Sequence, residues 1–202
     1  MTYRILSVAA LAAAVCFASP ALACKGTNVL LEDTFEDDST LGTDVSEFGA
    51  IADGTFKLTA KKGYFYHLFY RQDTYDKADI CLTVALLNGV EAGAGLLFNA
   101  AGGDDFYYFW VNPGGVAGIQ RLQNKKWTQP VPSRKVQTDA KKPVTLRLTL
   151  EGDHATAYVN DQKLANFKVK PAEGGGLIGI GANAGDNDVT WGFSKLKVTD
   201  LP

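Results

Sequence analysis

Between Gly93 and Trp127 the chain alternates three apolar or aromatic runs with two glycine-rich breaks, Ala100–Asp105 and Asn112–Gly115. The runs are too short for helices and too rich in Phe, Tyr, Trp, Leu and Val for loops, so they predict consecutive antiparallel strands. The middle run, Phe106-Tyr107-Tyr108-Phe109-Trp110-Val111, carries large rings at both parities. Side chains alternate faces along a strand, so one face cannot hold them all. If Tyr107, Phe109 and Val111 face a core, then Phe106, Tyr108 and Trp110 face away from it. A sheet with aromatics on its second face is either covered there or binds something there.

The rest of the pattern is also β. Val29 to Leu31 open a first strand, with an acidic turn expected from Glu32 to Ser39. Phe48–Ala52 and Thr55–Ala60 flank Asp53-Gly54, a dipeptide suited to a tight hairpin. Tyr64 to Tyr70 form another aromatic strand. Ile80, Leu82, Val84 and Leu86 alternate with Cys81, Thr83, Ala85 and Leu87, as on a strand with one strongly buried face. Val144, Leu146, Leu148 and Leu150 alternate with Thr145, Arg147 and Thr149, which predicts a polar second face. Ala155–Val159, Leu164–Val169, Leu177–Ala182 and Val189–Val198 supply the remaining strands, with turns at Gly152 and at Asn160-Asp161. The glycines of Leu177–Ala182 leave room on one side of that strand. Roughly a dozen short strands without a convincing helix predict an all-β, two-sheet sandwich.

Residues 1–23 read as an export signal. Arg4 is the positive n-region, Ile5 to Phe17 the apolar stretch, and Ala21-Leu22-Ala23 a small-x-small cleavage site. Residues 24–202 then form one domain, with a core of useful size. Cys24 would become the N-terminus. Two alternatives follow, and they exclude each other. Cys24 and Cys81 form a disulfide in an oxidising compartment, worth roughly 2–4 kcal/mol. Or Cys24 carries a lipid, although Leu22 sits one place late for that signal. The formal charge of −2 includes Arg4. The paired lysines are isolated beside turns, so nucleic acid is not an expected partner, and the leader is too short for a comfortable transmembrane span.

The order Gly93-x-Gly95-Leu-Leu-Phe98, Asp105-Phe106-Tyr107-Tyr108-Phe109-x-Val111, Gly118-x-x-Arg121, Val144-x-Leu146-x-Leu148 and Ala157-x-Val159-Asn160-Asp161 resembles concanavalin A-like lectin/glucanase domains. The opening Leu31-Glu32-Asp33-x-Phe35 and the closing Phe193-x-x-Leu196-x-Val198 suit the same superfamily. The nearest branch is the bacterial laminin-G-like and 3-keto-disaccharide-hydrolase-like one, often labelled family-16-glycoside-hydrolase-like. The resemblance implies a jelly roll of twelve to fourteen strands, one sheet convex and one concave. It implies carbohydrate across the concave sheet or in its rim loops, and in some members a structural calcium near the termini. These motifs are structural, and the fold hosts enzymes, lectins and adhesion modules alike.

Retaining glucanases of that superfamily carry Glu-x-Asp-x-(x)-Glu on one strand, so that both glutamates share a face. The chain has only six glutamates. Glu36-Asp37-Asp38 and Glu151-Gly152-Asp153 begin the pattern, but neither has the second glutamate. No serine lies in a Gly-x-Ser-x-Gly elbow, and His67 and His154 have no zinc spacing. Glu32 and Asp33, with the acidic residues that follow, offer hard oxygens that suit calcium but lack a fixed calcium-loop spacing. The best lead is aromatic. A flat ring stacks on the apolar face of a sugar while amides and guanidinium groups take its hydroxyls. Tyr108, Trp110 and Trp127 are the expected stacking residues, with Asn112, Arg121 and Arg71 bonding to hydroxyls. Tyr66 and Tyr70 complete the expected binding set, and Tyr64, Asn99, Gln123 and Arg147 are further candidates. Tyr107, Phe109, Trp191 and Phe193 are expected in the core. The expected function is an exported carbohydrate-binding domain that does not cleave its ligand. Two alternatives stand beside it. One is a hydrolase or lyase of oxidised disaccharides, using Asp79, Asp105 or His67. The other is an adhesive envelope protein that packs its aromatics on a partner protein.

Overall fold

The computed structural model describes residues 24–36, 49–90, 93–139 and 142–202. The proposed leader, Phe48, Asp37 and Asp38 lie outside them. The described residues form fourteen strands and no helix. They are β1 (Val29–Asp33), β2 (Gly49–Ala52), β3 (Thr55–Ala60), β4 (Phe65–Tyr75), β5 (Lys77–Asn88), β6 (Ala94–Gly102) and β7 (Asp105–Val111). Then come β8 (Val116–Gln123), β9 (Lys126–Lys135), β10 (Val144–Glu151), β11 (His154–Val159), β12 (Gln162–Lys168), β13 (Gly176–Asn183) and β14 (Val189–Thr199).

Two antiparallel sheets stack face to face. The eight-stranded sheet runs β12-β11-β10-β5-β14-β3-β2, with β1 also paired to β14; the six-stranded sheet runs β4-β13-β6-β7-β8-β9. β14 pairs with β5 along one edge and with two strands in succession along the other. Its first half pairs with β3 and its second half with β1, and Lys195 between them has φ 52°. The expected hairpins form. Asp53-Gly54 and Asn160-Asp161 turn with positive φ at all four residues, the geometry that matches the twist of the flanking strands.

The core lies between the sheets, and the alternation of the sequence predicts it well. Tyr107, Phe109 and Val111 of β7 face inward, as do Leu146, Leu148 and Leu150 of β10 and Trp191 and Phe193 of β14. Two outcomes differ from the pattern. β1 extends through Glu32 and Asp33, which therefore point to opposite faces instead of sharing a turn. Glu32 is exposed beside Lys197, 3.4 Å away. The buried Asp33 carboxylate accepts the Phe35 N–H at 2.8 Å and the Tyr70 hydroxyl at 2.6 Å. The two do not converge as a cation pair.

The second difference lies on the far face of the eight-stranded sheet. Arg147 is buried there instead of solvated. Its guanidinium donates to the fully buried Asp79 carboxylate at 2.8 to 3.1 Å and lies 5.0 Å from the Tyr158 ring. The N-terminal segment covers the pair: the Lys25 N–H donates to Asp79 at 2.7 Å, and Cys24 is disulfide-bonded to Cys81. That bond occupies the sulfur a lipid would need. Among the described residues no helix is long and apolar enough to cross a membrane.

At the other side of the molecule β9 is the edge of the six-stranded sheet. It is exposed at every residue but Val131 and carries Pro130 and Pro132.

Candidate functional site

The outward side chains of the six-stranded sheet form a second apolar cluster, separate from the core. Phe69, Leu97, Phe106 and Tyr108 are buried in it, and Phe65, Trp110 and Leu122 pack against it. Glycines make this possible. Trp110 stands in register with Gly95 of β6 and Gly118 of β8, so no cross-strand side chain crowds it on either side. Gly181 of β13 lies beneath the Phe65 ring, and a Cβ built there would come within 3.0 Å of it. The glycine run expected to leave room on one face does so under these rings.

The sheet also curls. β4 and β9 are opposite edges, five strand spacings or roughly 24 Å apart along a flat sheet. Yet the Phe65 and Trp127 rings meet edge to face with centroids 5.5 Å apart. The outer face is therefore concave. Phe65, His67, Phe69 and Trp127 close over Phe106, with centroids 5.4 to 6.0 Å from its ring. One half of the aromatic face is thus covered by its own side chains. Burial in this cluster pushes the His67 pKa down, with Asp104 partly opposing the shift.

The other half stays open as a groove of two adjoining hollows. The larger, about 570 Å³, runs past Val90, Trp110, Asn112 and Pro113. The smaller, about 360 Å³, runs past Tyr64, Phe65 and Trp127. Tyr108, Gln120 and Asn183 line both. Tyr64 and Trp127 are 65% and 44% exposed and form the rim. Tyr108 forms the floor at 2% exposure, its hydroxyl 3.4 Å from the Gly181 carbonyl that accepts it. Burial pushes that phenol's pKa well up. Trp110 is half-buried, and its Nε1–H has no hydrogen-bond partner among the described residues. Asn112 is fixed by its own turn, its Oδ1 accepting the Val116 N–H at 2.9 Å. Asn183 is fixed in the same way by the Gly93 N–H, also at 2.9 Å.

Trp110, Asn112, Trp127 and Tyr108 therefore come together, with Tyr108 as a buried floor instead of a wet ring. The other expected binding residues do not join them. Tyr66 and Tyr70 have inward parity on β4. Tyr66 packs on the core, and Tyr70 is 1% exposed with its hydroxyl donated to Asp33. Arg121 shares its parity with the core residue Ile119, lies 5.0 Å from the inward Tyr107 ring and pairs with Asp105 at 3.0 Å. Arg71 is exposed on β4 and lines neither hollow. Asn99 is buried and bonded to Lys170 and Ala172, and Gln123 donates to Asp105. The three groups an enzyme would need are scattered. Asp79 is held by Arg147 on the other sheet, Asp105 by Arg121 and Gln123, and His67 lies among rings. Sequence reasoning missed Gln120 and Asn183. Outward parity on β8 marks the first; the second directly follows the glycine strand's apolar run.

No family model matches the chain, and neither does the sequence of any curated protein. Solved structures do match. The carbohydrate-binding module CBM66 from Bacillus subtilis has a TM-score of 0.60 at 15% identity, over 72% of this chain and 86% of that one. A Bacillus subtilis protein of unknown function with a galectin-like fold reaches 0.64 at 13% identity, over 87% and 97%. A Bacillus licheniformis beta-glucanase reaches 0.64 at 9% identity, over 86% and 99%. The chain has a concanavalin A-like fold. At such identities the likeness is one of architecture. Within this concanavalin A-like jelly roll the six-stranded sheet is the concave one, and the groove lies on it.

Proposed function

We propose that this protein is an exported carbohydrate-binding domain that holds its sugar without cleaving it. The observation that carries this reading is the composition of the groove. Its walls are rings, Trp110, Trp127 and Tyr64, and its polar groups are the amides of Asn112, Gln120 and Asn183. Rings take the apolar faces of pyranose units, and amides both donate to and accept from hydroxyls. Neither a carboxylate nor an imidazole lines either hollow among the described residues, and glycoside hydrolysis ordinarily needs two carboxyl groups flanking the bond. A shallow groove of rings and amides favours a lectin over a hydrolase, which would need a deeper cleft with an acid pair. The Cys24–Cys81 disulfide supports export, because such bonds persist in oxidising compartments.

The test is a glycan array on the purified, disulfide-bonded protein, with and without calcium, repeated on Trp110→Ala. The expected result is glycan binding by the parent and its loss in the variant, with an unchanged β circular dichroism spectrum. Release of reducing sugar from the bound glycan would show cleavage and contradict the reading. So would a parent protein that retains no glycan.

A further inference from the structure

We infer, resting on the carbohydrate-binding reading above, that the groove selects an uncharged oligosaccharide and seats two successive sugar units on either side of a shared bench. The bench is Tyr108, Gln120 and Asn183, the three residues common to both hollows. Because they are shared, the hollows are one continuous path across the sheet and not two separate sites. Each half has its own ring. Trp110 serves the larger and Trp127 the smaller, with Tyr64 at the smaller one's rim. A single unit fills one half and leaves the second tryptophan without a partner.

The selection against charge follows from what surrounds the path. Among the described residues none that lines the path carries a formal charge at neutral pH, and burial moves the Tyr108 phenol further from ionisation. Of the neighbouring cations, three are engaged or turned away. Arg121 is on the inward side of β8, paired with Asp105. Lys61 is paired with Asp188 at 2.9 Å. Lys126 precedes Trp127 on β9 and so points to the opposite face. Lys62 is exposed one residue outside the lining, in a turn whose backbone is tied to Asp188. A carboxylate or sulfate pressed against these rings would lose its water and find no cation among the described lining residues, a loss that grows steeply with burial. Neutral hydroxyls meet groups that suit them. The Asn183 oxygen is occupied by the Gly93 N–H, which leaves its NH2 as a donor. The Gln120 amide has no hydrogen-bond partner among the described residues, so it can both donate and accept.

The experiment is titration calorimetry of the disulfide-bonded protein at physiological salt. The probes are neutral gluco-, manno-, galacto- and xylo-oligosaccharides of one to four units, galacturonate and glucuronate oligomers, and sulfated galactan fragments. At least one neutral series should bind, with affinity rising by about tenfold from the first unit to the second, the size expected for adding one well-placed aromatic stack. The acidic probes should bind at least about tenfold more weakly. Trp127→Ala, with the fold checked by an unchanged β circular dichroism spectrum because Trp127 also packs on Phe65 and Phe106, should abolish the gain from the second unit. Acidic probes that bind as tightly as neutral ones would overturn the selectivity and leave the binding role standing. An affinity indifferent to chain length, or a Trp127→Ala variant that keeps the gain, would overturn the two-unit arrangement. Silence with every probe, neutral and acidic, would bring down the binding role itself and this inference with it.

Discussion

Neutralising Asp79 should destabilise this protein more than any surface substitution. In Asp79→Asn the shape is kept and the charge is lost. The carboxylate is fully buried and satisfies three donors from two residues, the Lys25 N–H and the Nε and Nη2 of Arg147. Removing the charge leaves the buried guanidinium with only a neutral amide oxygen and the Tyr158 ring beside it. Breaking a buried pair in this way costs about 3–5 kcal/mol. For a domain of this size that is a fall in Tm of about 6–20 °C. Urea unfolding with the disulfide intact would measure it, read as a lower midpoint at constant m-value. The decisive comparison is the double variant Asp79→Leu/Arg147→Met. Replacing both charges by apolar groups leaves nothing stranded, so the pair should recover most of the loss. A single variant that costs less than about 1 kcal/mol would refute the reasoning. So would a double variant no more stable than the single, because both arguments assume that the burden is the unpaired ion.

Reducing the Cys24–Cys81 bond, 57 residues apart in sequence, should lower stability by about 4 kcal/mol on the chain-entropy relation; urea titrations with and without reductant would check it, and a change below about 1 kcal/mol would contradict it. Gly181→Val should cost about 1–3 kcal/mol by overpacking, because the new Cβ meets Phe65 Cζ at 3.0 Å and Leu97 Cδ2 at 3.4 Å. Its near-ultraviolet circular dichroism should change as Phe65 shifts against Trp127, and an unaltered spectrum with parental stability would count against the ring-over-glycine account. His67 has its pKa lowered chiefly by burial, so the unfolded chain binds the proton more readily than the folded one. Stability from this group is therefore present above about pH 6.5 and is lost as pH falls toward the folded value. Urea midpoints from pH 8 to 5 should show the decline, and His67→Gln should flatten it.

The chain announces its fold through alternation, and alternation is also where the reading stops. In Phe106–Val111 the two parities separate cleanly, because Tyr107, Phe109 and Val111 find the core and the other three do not. In Phe65–Tyr70 the same alternation gives no sign of which set faces inward, since every residue but His67 and Leu68 is a ring. The answer depends on Asp33, far away in sequence, which draws the Tyr70 hydroxyl into the core. Arginines are ambiguous for the same reason. Arg121 and Arg147 look like hydroxyl-binding groups until their partners, Asp105 and Asp79, are seen beside them. The groove itself depends on curvature. Phe65 and Trp127 meet only because the sheet bends, and no local pattern encodes that.

The prolines of β9 bear on how the protein behaves at high concentration. An open sheet margin invites a second chain to add itself by main-chain pairing, the first step toward fibrous aggregates. Pro130 and Pro132 have no amide hydrogen to offer, and Lys126, Arg134 and Lys135 place like charges along the same border. A second copy approaching there would meet repulsion and an interrupted ladder, so the border beside the groove should not recruit a second chain.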